Sequence, residues 1–322
     1  MKVLVTGGAG FIGSNLVRLL RGEGHAVSVL DDLSTGYESN LEPFRDVRFV
    51  RGDVRDQSAV ADAAAGAEVI FHLAASVGNA RAIDNPIADS ETNVIGTLRV
   101  LEAARRLGVR KVVYSSSAGV FGELRHLPIR EDHPIEPDTP YGASKLAGEK
   151  HSLAYSRLHG LEAVCLRYFN VYGVNQRYDA YGNVIPIFVQ RLLAGEMLTV
   201  FGDGEQTRDF INVEDVIQAN YLAGVNRGLS GVFNLGSGEA VTINRLIALL
   251  TAASGITPSV EHGPPRKGDV RDSLADITAA RERLGFVPAV RLEDGLHAYI
   301  EWMREQMQRG SASVATAMPA PV

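Results

Sequence analysis

The stretch Lys2-Val3-Leu4-Val5-Thr6-Gly7-Gly8-Ala9-Gly10-Phe11-Ile12-Gly13 decides the fold. Its first five residues read as a short buried strand, and beyond the glycines Leu16, Leu19 and Leu20 recur at helical spacing. Strand, glycine turn and helix in that order make a phosphate cradle. Gly7 allows the tight turn, Gly10 lets backbone approach a pyrophosphate, and Gly13 permits close packing of helix on strand. The helix N-terminus, at Phe11 and Ile12, offers unpaired N–H groups to the anion. The expected fold class is α/β, a Rossmann-type doubly wound parallel sheet with a smaller mixed α/β domain for the substrate.

The strands that follow extend this reading. Ala26-Val27-Ser28-Val29-Leu30 ends in Asp31-Asp32, where a carboxylate can accept both ribose hydroxyls of an adenosine. The same charge repels a 2'-phosphate and no Arg follows directly, so NAD is expected rather than NADP. A third strand, Val47-Arg48-Phe49-Val50, leads to Asp53-Val54, placed to flank the adenine. A fourth closes through Leu73 on Ala74-Ala75, small residues that let backbone lie along the cofactor. Residues 89–107 read as one long helix, from which Asn93 points inward toward the cofactor or toward a structural partner. A fifth strand, Lys111-Val112-Val113-Tyr114, runs into Ser115-Ser116-Ser117. Ser115 is assigned to the cofactor side, and Ser117 to the reacting oxygen.

Chemistry is expected at Tyr141-Gly142-Ala143-Ser144-Lys145. On a helix, Tyr141 and Lys145 are one turn apart on one face. A phenol titrates near ~10 in water, and a neighbouring ammonium or a positively charged nicotinamide favours the phenolate. Tyr141 is thus the candidate general base. Ser117, from the preceding strand end, is placed to donate to the same oxygen.

Composition bounds the alternatives. A net charge of -6 and a pI of about 5.8 speak against a phosphate-coating nucleic-acid binder, which needs a basic run. Cys165 is the only cysteine, so neither an intrachain disulfide nor a CxxC metal knuckle can form. His72, His126, His133, His151 and His159 lack ligand spacing, and no metal is expected. No run approaches ~18 apolar residues, and Lys2 is followed by strand pattern rather than by a signal-peptide core. The expectation is a cytoplasmic protein with no membrane or nucleic-acid partner.

Together these residues resemble the extended short-chain dehydrogenase/reductase family, in its NAD-dependent epimerase/dehydratase branch. The resemblance is carried by the turn from Thr6 to Gly13, Asp31, Asp53-Val54, Leu73-Ala74-Ala75, the triple serine, Tyr141 with Lys145, and Arg167-Tyr168-Phe169-Asn170-Val171-Tyr172-Gly173. It implies NAD as cofactor, a UDP-sugar as substrate, and a homodimer built through the helices at 89–107 and 141–159. It further implies Tyr168 and Phe169 near the nicotinamide, with Asn170 and Arg208 on the substrate diphosphate. Members that dehydrate a hexose carry Asp-Glu just after the catalytic Ser or Thr, and the resembling decarboxylases carry a Glu in that neighbourhood. Ala118 and Gly119 stand here instead and can move no proton. The implied activity is reversible oxidation at C4, hence 4-epimerisation of a UDP-hexose of the glucose/galactose type through a 4-keto sugar. UDP-glucuronate and UDP-N-acetylglucosamine are the alternative substrates. A non-catalytic NAD-binding sensor is the rival from another class, against which the intact Ser117, Tyr141 and Lys145 stand.

In the second half, Ala163 to Tyr168 reads as a buried strand with Cys165 as core. A polar loop from Val174 leads to Val184-Ile185-Pro186-Ile187-Phe188-Val189 and a helix through Leu193. Phe188 is a candidate for the uracil site, with core packing as the alternative. Residues 201–211 read as a hairpin-like turn and a strand. In Pro264-Pro265-Arg266-Lys267-Gly268-Asp269, Arg266 can pair bidentately with phosphate while Asp269 takes ribose hydroxyls. Arg271 either joins that clamp or pairs with Asp272. By resemblance the small Ser273 leaves the sugar pocket roomy, and Arg81 and Arg177 are candidates to meet a C6 carboxylate. Trp302 reads as packing on a last amphipathic helix. The expected domains are 1–170 for NAD, with 209–238 packing back on it, 171–309 mainly for the UDP-sugar, and a disordered tail at 310–322.

Overall fold

A computed structural model describes residues 1–177, 183–265 and 270–316, with backbone alone from 309 onward. The first half comprises β1 (Lys2–Thr6), α1 (Phe11–Gly22), β2 (Ala26–Asp31), β3 (Arg48–Arg51), α2 (Gln57–Ala63), β4 (Val69–His72), α3 (Asn79–Asp84), α4 (Pro86–Ser90), α5 (Thr97–Leu107), β5 (Lys111–Ser117) and α6 (Pro140–His159). The second comprises β6 (Glu162–Tyr168), β7 (Asn170–Tyr172), α7 (Val184–Ala194), β8 (Leu198–Phe201), β9 (Thr207–Arg208), β10 (Phe210–Asn212), α8 (Val213–Val225), β11 (Gly231–Leu235), β12 (Val241–Thr242), α9 (Ile243–Ser254), β13 (Val260–Gly263) and α10 (Leu292–Thr316).

Seven strands form one parallel sheet in the order β11-β6-β5-β4-β1-β2-β3. Because β1 lies between β2 and β4, strand order reverses there, and the crevice at the C-terminal strand ends is the binding edge of such a sheet. This is the expected Rossmann-type architecture. Burial on both faces explains why β1 reads as continuous Val-Leu-Val rather than as an alternation. Leu16, Val17 and Leu20 of α1 close one face together with Val216 and Ile217 of α8. Val60, Val100 and Leu101 close the other. The seventh strand comes from far along the chain, with Phe233 opposite Leu166.

A second core joins Ile185, Phe188 and Leu192 of α7 to Leu246 and Leu250 of α9 and to Tyr299 and Ile300 of α10. Trp302 stacks on Tyr299 with ring centroids 5.8 Å apart. Residues 201–211 form no hairpin. β8 pairs with β13, β9 with β12 and β10 with β7, so three successive strands each find a distant partner that no turn pattern reveals. Residues 89–107 are also not one uniform α-helix, because a π turn, Glu91–Gly96, separates α4 from α5. α10 overlaps residues 310–316 of the stretch read above as a tail. No described helix is long and apolar enough to cross a membrane.

Candidate active site

The glycine turn has the geometry of a backbone cradle. Gly7 sits at φ +70°, and a Cβ there would meet the Ala74 nitrogen at 2.7 Å, while a Cβ on Gly13 would overlap the Gly7 carbonyl oxygen. Only glycine allows the loops after β1 and β4 to approach this closely. Gly10 caps α1 without a side-chain bond, so the first-turn N–H groups around Phe11 and Ile12 remain for an anion. Leu73 and Ala74 donate backbone N–H to the Thr6 carbonyl and hydroxyl at 3.1 and 3.2 Å, and the half-buried Ala75 follows.

Asp31 ends β2, buried, with one oxygen accepting the Ala9 N–H and the other the Leu33 N–H, each at 2.9 Å. Burial raises its pKa against the pull of those two bonds. Each oxygen keeps acceptor capacity for a ribose hydroxyl. Asp32 is exposed and accepts the Ser34 N–H. Asp53 pairs with Arg55, whose hydrogen bonds hold its carboxyl below the usual range, and Val54 is buried beside it.

Asn93 is occupied by protein partners. Its carbonyl accepts the Ser76 N–H at 2.9 Å, and its amide nitrogen lies 3.0–3.1 Å from Ser76 O, Asp89 Oδ1 and Ser144 Oγ. Of the two roles left open for it, this geometry displays the structural one. Arg177, a candidate for a C6 carboxylate, is held at another group. Its guanidinium lies 3.6 Å over the Tyr37 ring, and Tyr37 is bonded to the Ala9 carbonyl at the Asp31 end of the crevice. Asn175 donates to Ser14 Oγ, and Asn15 to the Val174 carbonyl, which straps residues 174–177 onto α1.

The reactive cluster is assembled where β5 and α6 meet. Thr139 caps α6 by accepting the Gly142 N–H at 3.1 Å, and Pro140 occupies the first turn, so Tyr141 stands at the helix mouth. Ser117 accepts the Gly119 N–H at 3.1 Å, and its hydroxyl is near enough to Tyr141 to favour the phenolate. Lys145, one turn along, is buried with its Nζ 4.9 Å from the Tyr114 ring centroid. A further turn brings Glu149, which holds Arg167 of β6 bidentately at 2.7 and 3.0 Å and accepts from Ser116 at 2.8 Å. Desolvation pushes Tyr141 up to about 12; the Ser117 hydroxyl opposes this and the Asp89 carboxylate adds to it. Desolvation pushes Lys145 down to about 8, opposed by Asp89 and then Cys165. His72 bridges Thr6 and Thr97 at 2.8 and 3.0 Å, and burial pushes it down to about 3, leaving a neutral ring. Ser115 and Tyr168 are buried side by side; the Tyr168 hydroxyl donates to Asn220 at 3.0 Å.

On the substrate side, Asn170 donates its backbone and side-chain N–H to the Asp209 carbonyl. The Asp209 carboxylate in turn accepts from Ser237, Gly238 and Ala275. Arg208 donates to the carbonyls of Thr207 and Arg271 at 2.7 and 3.1 Å. Arg271 lies 3.7 Å from Asp203 and 3.8 Å from Asp272, the ion-pairing alternative of the two posed above. Phe188 is 3% exposed inside the second core, which is the packing alternative for that residue. Arg266 and Asp269 lie outside the described residues. Sequence reasoning missed Asp89, Glu149 and Asp209, which stand in polar stretches where no local pattern marks a buried acid.

Comparison with known proteins agrees with this geometry. A family model described as the NAD dependent epimerase/dehydratase family matches residues 3–236. The chain is similar to a UDP-glucose 4-epimerase of Mycolicibacterium smegmatis, 42% identical over 313 residues that cover 96% of this chain and 100% of that one. It is also similar to a dTDP-glucose 4,6-dehydratase of Streptomyces niveus, 38% identical over 317 residues covering 95% and 93%. The crystal structure of the Thermotoga maritima UDP-glucose 4-epimerase with UDP-glucose resembles it at a TM-score of 0.91 and 40% identity, over 95% of this chain and 100% of that one. Matches of that extent take in the glycine cradle, the serine–tyrosine–lysine cluster and the second core alike, and the chain therefore belongs to the NAD-dependent epimerase/dehydratase family, with NAD as its cofactor.

Proposed function

We propose that this enzyme inverts C4 of a UDP-hexose of the glucose/galactose type. The observation that carries the choice within a family of epimerases and dehydratases is the turn after Ser117. Residues Ala118–Val120 lie against the mouth of α6, where a Cβ on Gly119 would be 3.8 Å from the Tyr141 ring. Expelling a hydroxyl from C6 requires an acid and a base at that place, and Ala118 and Gly119 supply neither. Oxidation and reduction at C4 require one base and one hydroxyl partner, which Tyr141 and Ser117 provide.

When bound, NAD supplies a hydride acceptor that later returns the hydride, and its oxidised form adds a positive ring charge. Tyr141 takes the 4-hydroxyl proton while Ser117 holds the same oxygen, and Lys145 presents its ammonium one turn away. Asn170 and Arg208 hold the diphosphate as the sugar turns over, so the opposite face of C4 would be presented for the returning hydride while the 4-oxygen meets the same two hydroxyls and takes its proton back from Tyr141. A homodimer belongs to the same reading, supported by Ile83, Ile87, Ile95 and Leu158, exposed apolar side chains on mutually packed helices. So does a cytoplasmic location, which suits the single unpaired, buried cysteine.

Asp31→Ala is expected to weaken NAD binding roughly 10²-fold, because two charge-assisted bonds to ribose are lost; unchanged affinity by calorimetry removes Asp31 from the site. The function is tested by anomer-resolved NMR with NAD⁺ and, in turn, UDP-glucose, UDP-glucuronate and UDP-N-acetylglucosamine. Conversion of UDP-glucose to its C4 epimer is expected. A 4-keto-6-deoxy product would make the chain a dehydratase, and inertness with NAD still bound would make it a sensor.

A further inference from the structure

Asp89 is 1% exposed in α4, against the flank of α6. Its Oδ2 accepts from Ser144 Oγ at 2.5 Å, and its Oδ1 from the Asn93 amide at 3.1 Å. Ser144 is the residue before Lys145, and its hydroxyl also reaches the Tyr141 carbonyl at 3.0 Å. A buried carboxylate is thus tied to the helical turn that carries both reactive side chains, yet forms no ion pair among the described contacts. Burying a charge without a counter-charge is costly, so a carboxylate tied to the helical turn that carries an ammonium stabilises it through their shared low-polarity surroundings.

We propose that Asp89 is a positioning residue of the reaction, the counter-charge that keeps the Lys145 side chain an ammonium beside Tyr141. The inference rests on Lys145 acting with Tyr141 as set out above. The other titratable groups around Lys145 do not fill this role. Tyr114 on β5 and Cys165 on β6 are both held neutral by burial, and His72 on β4 is neutral. Glu149, further along α6, is matched by the Arg167 guanidinium. Asp89 is the first influence that opposes the desolvation of Lys145. It raises Tyr141 as well, favouring the neutral phenol as it favours the charged amine, so the pair is set as a unit.

Asp89→Asn tests this, because an amide can accept the Asn93 hydrogen and donate to Ser144 in the same space. The chain has five lysines, at 2, 111, 145, 150 and 267. Lysine labelled with ¹³C at Cε therefore gives few signals, and Lys145→Met identifies the one of interest. In the NAD-loaded enzyme, Asp89→Asn is expected to lower the Lys145 titration midpoint by about one pH unit, with the alkaline limb of turnover following it down. Asp89→Ala has to shift the midpoint in the same direction. Ser144→Ala, which removes the hydroxyl but keeps the carboxylate, has to leave it nearly in place. A midpoint unmoved in the Asp89 variants, or moved equally by Ser144→Ala, overturns the proposal. The titration needs no substrate, so a wrong substrate assignment shows up as missing turnover and not as a missing shift.

Discussion

Tyr141→Phe is expected to cut turnover roughly 10²–10⁴-fold, the usual worth of a positioned general base, while NAD and UDP bind as before. Phenylalanine keeps the ring where α6 presents it, and only the hydroxyl that faces Ser117 disappears. Without ligands, desolvation pushes that phenol up to about 12, so it is protonated at neutral pH. Proton abstraction becomes favourable once positive charge enters beside it. The sign follows: the acid limb of turnover in the loaded enzyme must lie well below 12, and it must vanish in the variant. NMR turnover together with calorimetry of NAD and UDP decides the matter. A rate within a few-fold of wild type would move the base to another residue.

Local signals made the fold and half of the site legible. The glycine turn, the acid at the end of β2 and the Tyr-x-x-x-Lys spacing are short-range patterns whose meaning does not depend on distant chain, and the structure has them on one sheet edge. The remainder depends on long-range placement. Arg177 could be read as a carboxylate ligand because nothing in its neighbourhood announces Tyr37, 140 positions earlier. Asn93 could be read either way, because its partners Ser76 and Ser144 belong to other elements. β11 could not be placed beside β6 by periodicity, since a buried parallel strand and a short core segment look the same in sequence. Asp89 carried no motif at all. Its importance lies in what surrounds it, and burial of a single acid does not register in a helical pattern.

Glu149→Ala is expected to lower stability by about 3–5 kcal/mol, the usual effect of breaking a buried ion pair. The Arg167 and Glu149 side chains are 2% and 0% exposed. With Glu149 gone, the guanidinium keeps the Glu131 carbonyl and the Phe121 ring, neither of which balances its charge. Denaturant unfolding measures the loss, and a change within 1 kcal/mol would mean that water or a moved carboxylate replaces Glu149. The double variant Glu149→Leu with Arg167→Met separates charge from shape, since an apolar pair of similar volume removes both buried charges together. It is expected to be more stable than Glu149→Ala yet to turn over slowly. Glu149 lies two turns from Tyr141 on the same helix, and its other partner is Ser116, next to Ser117. The pair therefore sets the register of α6 against β5 and β6, and with it the meeting of the Tyr141 and Ser117 hydroxyls. Apolar side chains can fill that volume, but they have no directional bond with which to hold that register.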